Sequence, residues 1–467
     1  MSIDDSGLNS KIYGTDVLIS VKTTHPLIQL AQTIAWDELA NLVLADLQSS
    51  TSKGRWWMGR PLRLRIHLGT YLLQQLFNKT DRQTEYDIKD NAVYQLFCGR
   101  HVVKKWHYPD HTKIEEFRSR LSPTTQQRLG NAIAGQAIKL GFADASHIDI
   151  DSTIQEANMS YPNDSNLLCK LGKMAKHVAA YINEKLPEFR IKPMEVDLKG
   201  IKLRARRYFF LKKNIKLEEK RECFNKLFNY VSDEIKLVLN NSRCLSEHFV
   251  EKMPWNIKNI FRQFVEKAKK YLDDIKYFIQ TNEMVSDKIL SFHLNDVRCF
   301  TKNKPGKKYQ FGRAFQLARI KGNFLFTGKC EVPNQSDKKS ITLMLQAHHD
   351  AFDGISIKSA TADKGYYATE NEKILAKYQV DEIGIQRPSN IKKPRIKPLP
   401  AFRENELINR RAGVEPLIGH AKNKGQLGRS RMKNDRTIEA SGYASVLGFN
   451  LRQTMRYKIG KIALEGT

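Results

Sequence analysis

The sequence predicts an all-α N-terminal part followed by an α/β domain that a large helical insertion interrupts. Three observations carry this reading. Apolar residues recur at helical spacing over most of the first 145 residues. The period drops to two at Ala145. Helical spacing then returns across 170–290, and strand-like segments resume beyond Asn303.

Taken in order, Leu27, Leu30, Ala31, Ala35, Leu39, Leu42, Val43 and Leu47 form one helical stripe. Leu62, Leu64, Ile66, Leu68, Leu72 and Leu73 begin a second helix, with Pro61 suited to its first turn and a stop near Asn78. Thr80 or Asp81 can cap the next helix, which carries Tyr86, Ile88, Val93, Tyr94, Leu96 and Phe97. Two helices across a short turn fit a DNA-binding helix-turn-helix and, equally, a packed hairpin. The flanking cations Lys53, Arg55, Arg60, Arg63, Arg65, Arg100, Lys104 and Lys105 bring the DNA reading level with the packing one, and Trp56-Trp57 reads as core packing or an exposed stacking pair.

His147-Ile148-Asp149-Ile150-Asp151 alternates as a strand whose polar face carries His147, Asp149 and Asp151. Phe224 to Val238 and Phe261 to Ile279 make two helical core stripes. The Asn303-Lys304-Pro305-Gly306 turn closes the insertion. Beyond it, Asn323–Val332, Gly354–Ala362 and Glu382–Ile385 read as strands, with helices at Ser340–Phe352 and 371–379. Residues 388–403 form a basic, proline-rich connector, and helical pattern runs from Val414 to about residue 457.

Composition narrows the function. The 467 residues hold 78 Lys+Arg against 50 Asp+Glu, a net charge of +28. The excess is local: residues 1–164 are balanced at 18 against 18, residues 165–310 hold 32 against 17, and residues 391–436 hold 13 against 4. A polyanion is the expected partner of those two segments. No apolar run approaches a membrane span, and the N-terminus reads as no secretory signal, so no membrane association is expected. The six cysteines, without a C-x-x-C pair, fit a reducing cytoplasm rather than a zinc module or disulfide scaffold. No phosphate-binding G-x-x-x-x-G-K-[ST] loop is present.

Three acids stand where chemistry can use them: Asp151 and Asp363, each expected to end a strand, and Glu415, opening a helix among basic residues. Such a carboxylate group suits Mg²⁺, held by a few carboxylates plus phosphate oxygens. Two ions about 4 Å apart clamp the attacking and leaving oxygens of a phosphoryl displacement. Asp149 shares the strand face of Asp151 and is an alternative ligand. Glu415, Gly419 and Lys422 fall at i, i+4 and i+7, so one helix face carries a carboxylate, a gap and an ammonium. Lys422 can meet a phosphate as a point charge, and Arg411 can grip one bidentately. His348-His349 diverge on a helix and make no metal pair.

The stretches 151–164 (DSTIQEANMSYPND), Ala-Asp363-Lys-Gly-Tyr366 and Asn409-Arg-Arg-Ala-Gly-Val-Glu415 through Lys422 together resemble the DDE transposases of bacterial insertion sequences. Gly59-Arg60-Pro61, residues 80–99 and Pro109-Asp110-His111-Thr112 look like that family's helical N-terminal domain. The resemblance implies a ribonuclease H-like catalytic domain over 145–457, interrupted by the helical insertion at about 165–310 and preceded by a DNA-binding or oligomerisation domain over 1–144. It implies Asp151, Asp363 and Glu415 as catalytic and metal-binding residues, with two Mg²⁺ ions or Mn²⁺ in their place. It implies Arg411 and Lys422 as DNA contacts; Ile408 stands where the family has Tyr. The implied partners are double-stranded DNA, as element ends and target, and a second copy of the chain in a synaptic complex associated with the nucleoid. The alternative reading is a catalytically inactive, transposase-derived DNA-binding protein.

Overall fold

The computed structural model describes residues 21–49, 61–99, 108–185, 193–211, 215–304, 307–329, 335–388, 391 and 394–460. They divide into two compact units: one holds residues up to 158 and from 298 onward, the other spans Met159–Val297.

The first unit opens with helices α1 (Pro26–Thr33), α2 (Trp36–Ser49), α3 (Pro61–Phe77), α4 (Asp81–Asp90), α5 (Ala92–Phe97), α6 (His111–Arg120) and α7 (Pro123–Lys139). The expected single stripe over 27–47 is two helices. The backbone turns extended at Ile34, Ala35 N–H donates to Gln136 Oε1 at 3.1 Å, and the Trp36 indole N–H donates to Ala31 O at 2.7 Å. Thr80 starts α4 through a reciprocal capping box with Gln83. Asn91 then ends α4 and caps α5, dividing what reads as one helix. Arg65 does not join a DNA-facing patch. Its guanidinium lies 3.0 Å from the centre of the Trp36 ring and donates to Phe97 O at 2.7 Å, and burial lowers its pKa to about 10. Lys53, Arg55, Arg60, Arg100, Lys104 and Lys105, the tryptophans at 56 and 57, and the side chain of Arg63 lie outside the described residues.

The second unit is helical: α8 (Asp164–Lys185), α9 (Leu198–Phe209), α10 (Leu217–Arg243), α11 (Glu247–Glu251) and α12 (Trp255–Thr281). Both expected stripes are core: Phe224, Leu227, Val231 and Ile235 of α10 pack with Phe261, Phe264, Ala268 and Ile275 of α12 around Leu168 and Leu171 of α8. The unit ends at Val297, short of the expected 310, because the next residues are strands of the other unit. Residues 159–297 hold 27 Lys+Arg against 18 Asp+Glu, so part of the charge ascribed to the insertion belongs to those strands.

One sheet holds six strands, whose order is that of Arg298–Lys304, Lys307–Lys321, Asp144–Glu156, Ser359–Ala362 and Glu382–Ile385, with Phe324–Gly328 also on Lys307–Lys321. Its strands are β1 (Asp144–Glu156), β2 (Arg298–Lys304), β3 (Lys307–Lys321), β4 (Phe324–Gly328), β5 (Ser359–Ala362) and β6 (Glu382–Ile385). The long β3 was not foreseen. One of its edges pairs antiparallel with β1 and the other is shared by β2 and β4. Strands β1, β5 and β6 run parallel. The linking helices are α13 (Ile341–Ala351), α14 (Thr369–Lys377), α15 (Ala401–Arg411), α16 (Val414–Asn423) and α17 (Asp435–Lys458).

Strand alternation divides the packing. Ala318 and Ile320 face Met344 and Leu345 of α13, while Phe315 and Leu317 face Val414, Leu417 and Ile418 of α16 and Tyr443 and Val446 of α17. Helix α17 is buried nearly all round from Ala440 to Leu451, as suits an interior helix. Its Ala444, Leu447 and Leu451 complete the core of α1–α7, so the N-terminal helices and the sheet share one interior rather than dividing at residue 144.

Candidate active site

The strand register brings two of the three acids together. β1 and β5 pair in parallel, with Ile150 opposite Ala362 as the last pair. Asp151 and Asp363 are each the next residue, so both stand at the carboxyl end of the parallel pairing. β1 itself continues to Glu156, so Asp151 lies within a strand and does not end one; Asp363 follows β5 and opens a one-turn 3₁₀ helix. Glu415 lies in the first turn of α16.

All three meet on one atom. Arg411, the last residue of α15, places Nη2 3.2 Å from Asp151 Oδ2, 3.5 Å from Glu415 Oε1 and 3.7 Å from Asp363 Oδ2. The carboxylates grade from enclosed to open, with side chains 14%, 45% and 66% exposed for Asp151, Asp363 and Glu415. Burial pushes the Asp151 carboxyl above its ordinary value; Arg411 and the Ser152 N–H oppose the shift, and the charge of Asp363 adds to it. The Arg411 Nε is buried without a hydrogen-bond partner. Arg411, expected at a DNA phosphate, is therefore engaged with carboxylates in this structure.

The neighbouring residues form a different assembly. Asp149 is buried, accepts from Arg410 Nε at 2.8 Å and from the Thr361 hydroxyl at 2.8 Å, and lies 3.9 Å from Arg319 Nε. Arg410 also donates to Ser359 Oγ at 2.7 Å. Two consecutive arginines thus hold two aspartates of one strand face, Asp149 through Arg410 and Asp151 through Arg411. Gly413 has ordinary right-handed backbone geometry, and its missing side chain leaves room for the guanidinium of Arg319: a Cβ there would stand 1.9 Å from Arg319 Nη1. Asp149 borders a cavity of about 230 Å³ lined also by His147, Arg319, Lys321, Arg403, Glu406, Leu407 and Arg410, to which Asp151, Asp363 and Glu415 do not contribute. This separates the two candidate aspartates. Arg410 lies in the Asn409–Lys422 stretch, where its neighbour Arg411 carried the signal, and Arg319 lies in β3, a strand that the residue pattern did not reveal.

On α16, Lys422 is half-buried two turns beyond Glu415, and a Cβ at Gly419 would meet nothing within 4 Å, so that face is open midway. His348 is buried and bonded to Ala145 O at 2.7 Å, while His349 is exposed. Among the described residues no group of three or more His, Cys, Asp or Glu side chains is gathered as a metal-binding set; the three acids surround a guanidinium instead.

Residues 16–120 match the model of a family described as Transposase domain (DUF772), which supports a transposase family for the chain. Over 121 residues the chain is 25% identical to the uncharacterized protein ORF8 in the nfe locus of Rhizobium meliloti. That match covers 25% of this chain and 58% of the relative's length. No solved structure matches the chain. Among the described residues no helix is long and apolar enough to cross a membrane.

Proposed function

We propose that this chain is the DNA transposase of a bacterial insertion sequence, with a ribonuclease H-like DDE catalytic domain. It binds the terminal inverted repeats of its element, cleaves phosphodiesters at the ends, and joins the freed 3′-hydroxyl to target DNA. It works as at least a homodimer at the nucleoid. One observation carries the reading: Asp151, Asp363 and Glu415 surround a single Arg411 nitrogen in a chain whose residues 16–120 match a transposase domain.

The donor set suits a hard divalent cation. It consists of carboxylate oxygens alone, gathered around a positive charge, with the most enclosed member destabilised in its ionised form by burial. Asp151, Asp363 and Glu415 would hold Mg²⁺ or Mn²⁺, and when bound the ions would supply Lewis-acid activation of the scissile phosphate and of the attacking oxygen. Arg411, held by the three carboxylates in this structure, would be free to meet a phosphate beside them when cations occupy the carboxylates. Lys422 offers a second positive charge along α16.

The test is cleavage of a duplex carrying the element's end, in Mg²⁺, by the wild type and by Asp363→Asn. Loss of cleavage with DNA binding retained is expected; undiminished cleavage by the variant would sink the assignment. A second reading, a transposase-derived DNA-binding protein without catalysis, is favoured by the engagement of all three carboxylates with Arg411. End binding without nicking across Mg²⁺ and Mn²⁺ would select it.

A further inference from the structure

Helix α9 of the second unit carries Lys199, Lys202, Arg204, Arg206 and Arg207 and no acidic residue. Its two sides are sharply divided. Gly200, Ile201 and Ala205 are buried, whereas Lys199, Lys202, Arg206 and Arg207 are exposed. Lys199, Lys202 and Arg206, spaced three and four residues apart, form one outward row. At the end of that row stand Phe209 and Phe210, 65% and 76% exposed, their rings edge to face at 5.3 Å.

The helix is held firmly from behind. Asp197 caps it, accepting from the Gly200 N–H at 2.9 Å and from the Tyr230 hydroxyl at 2.6 Å. The Arg204 guanidinium lies 3.4 Å from the centre of the Tyr230 ring. Among the described residues neither ring belongs to the core of the unit, and both stand exposed at the end of an acid-free row of cations.

We propose that the outer face of α9 is a binding surface for single-stranded DNA. Lys199, Lys202 and Arg206 follow successive phosphates, and Phe209 or Phe210 stacks on an unpaired base. Charge complementarity selects a polyanion, and the aromatic pair selects a polyanion with exposed flat bases over a duplex, whose bases are already stacked. An anionic lipid surface is a poorer occupant, because Ile201 and Ala205 are spent on the core of the unit and only Leu203 and the two rings remain exposed, less apolar area than a helix lying in a lipid interface presents. The choice of DNA over RNA rests on the transposase reading above.

The experiment uses the full chain, a labelled single-stranded oligonucleotide, a blunt duplex of the same sequence, and vesicles of anionic phospholipid. Phe209→Ala/Phe210→Ala is expected to bind the single strand about tenfold more weakly, with duplex binding little changed. Lys202→Gln/Arg206→Gln is expected to lower the salt slope of single-strand binding by about 1.4, roughly 0.7 for each phosphate no longer neutralised. Phe210→Trp keeps a stacking ring, so it should retain affinity and show oligonucleotide-dependent fluorescence quenching beyond that of the wild type. Unchanged single-strand affinity in the double alanine variant, or no added quenching in Phe210→Trp and in Phe209→Trp alike, overturns the proposal while leaving duplex cleavage, and hence the transposase reading, standing. Loss confined to binding of anionic vesicles assigns the surface to lipid and overturns it as well. A wild type that binds no DNA of either form removes both readings together.

Discussion

Asp149 and Asp151 lie two residues apart on one strand face, and they should respond oppositely to the same substitution. Asp149→Asn removes the carboxylate that Arg410 contacts at 2.7–2.8 Å. Breaking a buried ion pair from one side costs roughly 3–5 kcal/mol. Arg410 is partly exposed and keeps its bond to Ser359, so the lower end applies, about 3 kcal/mol. At roughly 2 °C per kcal/mol for a unit of this size, Tm should fall by about 6 °C. Asp151→Asn removes a charge that the fold already disfavours. Because burial raises the Asp151 pKa above its unfolded value, the protonated form is the one the fold favours, and that contribution is lost as pH rises through the folded pKa. At neutral pH the amide therefore relieves a cost, and Arg411 keeps Asp363 and Glu415 as partners. Its Tm should stay within about 2 °C of the wild type, a change of about 1 kcal/mol or less. Thermal melts of both variants, paired with end cleavage in Mg²⁺, check this: Asp149→Asn should be unstable, and Asp151→Asn stable and inactive. An Asp151→Asn that melts as low as Asp149→Asn, or an Asp149→Asn of normal Tm that cleaves nothing, would refute the division of roles.

Three further outcomes are expected. Glu85 is held at about 2 by the Lys89 ammonium and by the backbone and ring N–H of His111, so its contribution is complete above its ordinary 4.5 and is lost as pH falls towards 2; acid titration of the far-ultraviolet helix signal should show a shallower loss over that window in Glu85→Gln. Gly442→Ala would set a Cβ 2.2 Å from the Phe315 ring between α17 and β3, and overpacking of this kind costs about 1–3 kcal/mol, read as a Tm lower by about 2–6 °C. Cys98 is fully buried with its thiol pushed up to about 12, whereas Cys244 and Cys299 are exposed; alkylation followed by peptide mass spectrometry should label the latter two in the native protein and Cys98 only after unfolding.

Much of this architecture is visible in the residue pattern, and the departures have identifiable causes. The period-two run at His147–Asp151 and the stripes of α10 and α12 are dictated by burial of one face, which spacing alone records. Strand β3 escapes that rule because it buries Arg313, Gln316 and Arg319. Their partners Glu439, Tyr366 and Asp149 lie far off in sequence, so the strand reads as polar until the fold supplies them. The break between α1 and α2 is hidden for a similar reason: the apolar period runs through it, and the bond that fixes Ala35 comes from Gln136. Arg65 shows the limit of charge counting, since a cation stacked on Trp36 and one facing a phosphate look alike in a sequence. At the site, the three acids were marked by local words, but their meeting depends on the parallel register of β1 and β5 and on a guanidinium whose expected partner was a phosphate.

Helix α17 gives this protein a constraint on exchange of parts. Its Leu447 and Leu451 finish the interior of the N-terminal helices, while Tyr443 and Val446 finish the layer beneath Phe315 and Leu317, on the same sheet as Asp151. A graft that brought in foreign N-terminal helices would also have to refit the last helix of the chain. Gly448 sharpens this, since any side chain there would strike the Gln75 carbonyl of α3 at 2.3 Å. Recombination between relatives should therefore preserve pairs of distant segments, α3 with α17, and chimaeras that split the pair should be recovered only as insoluble protein.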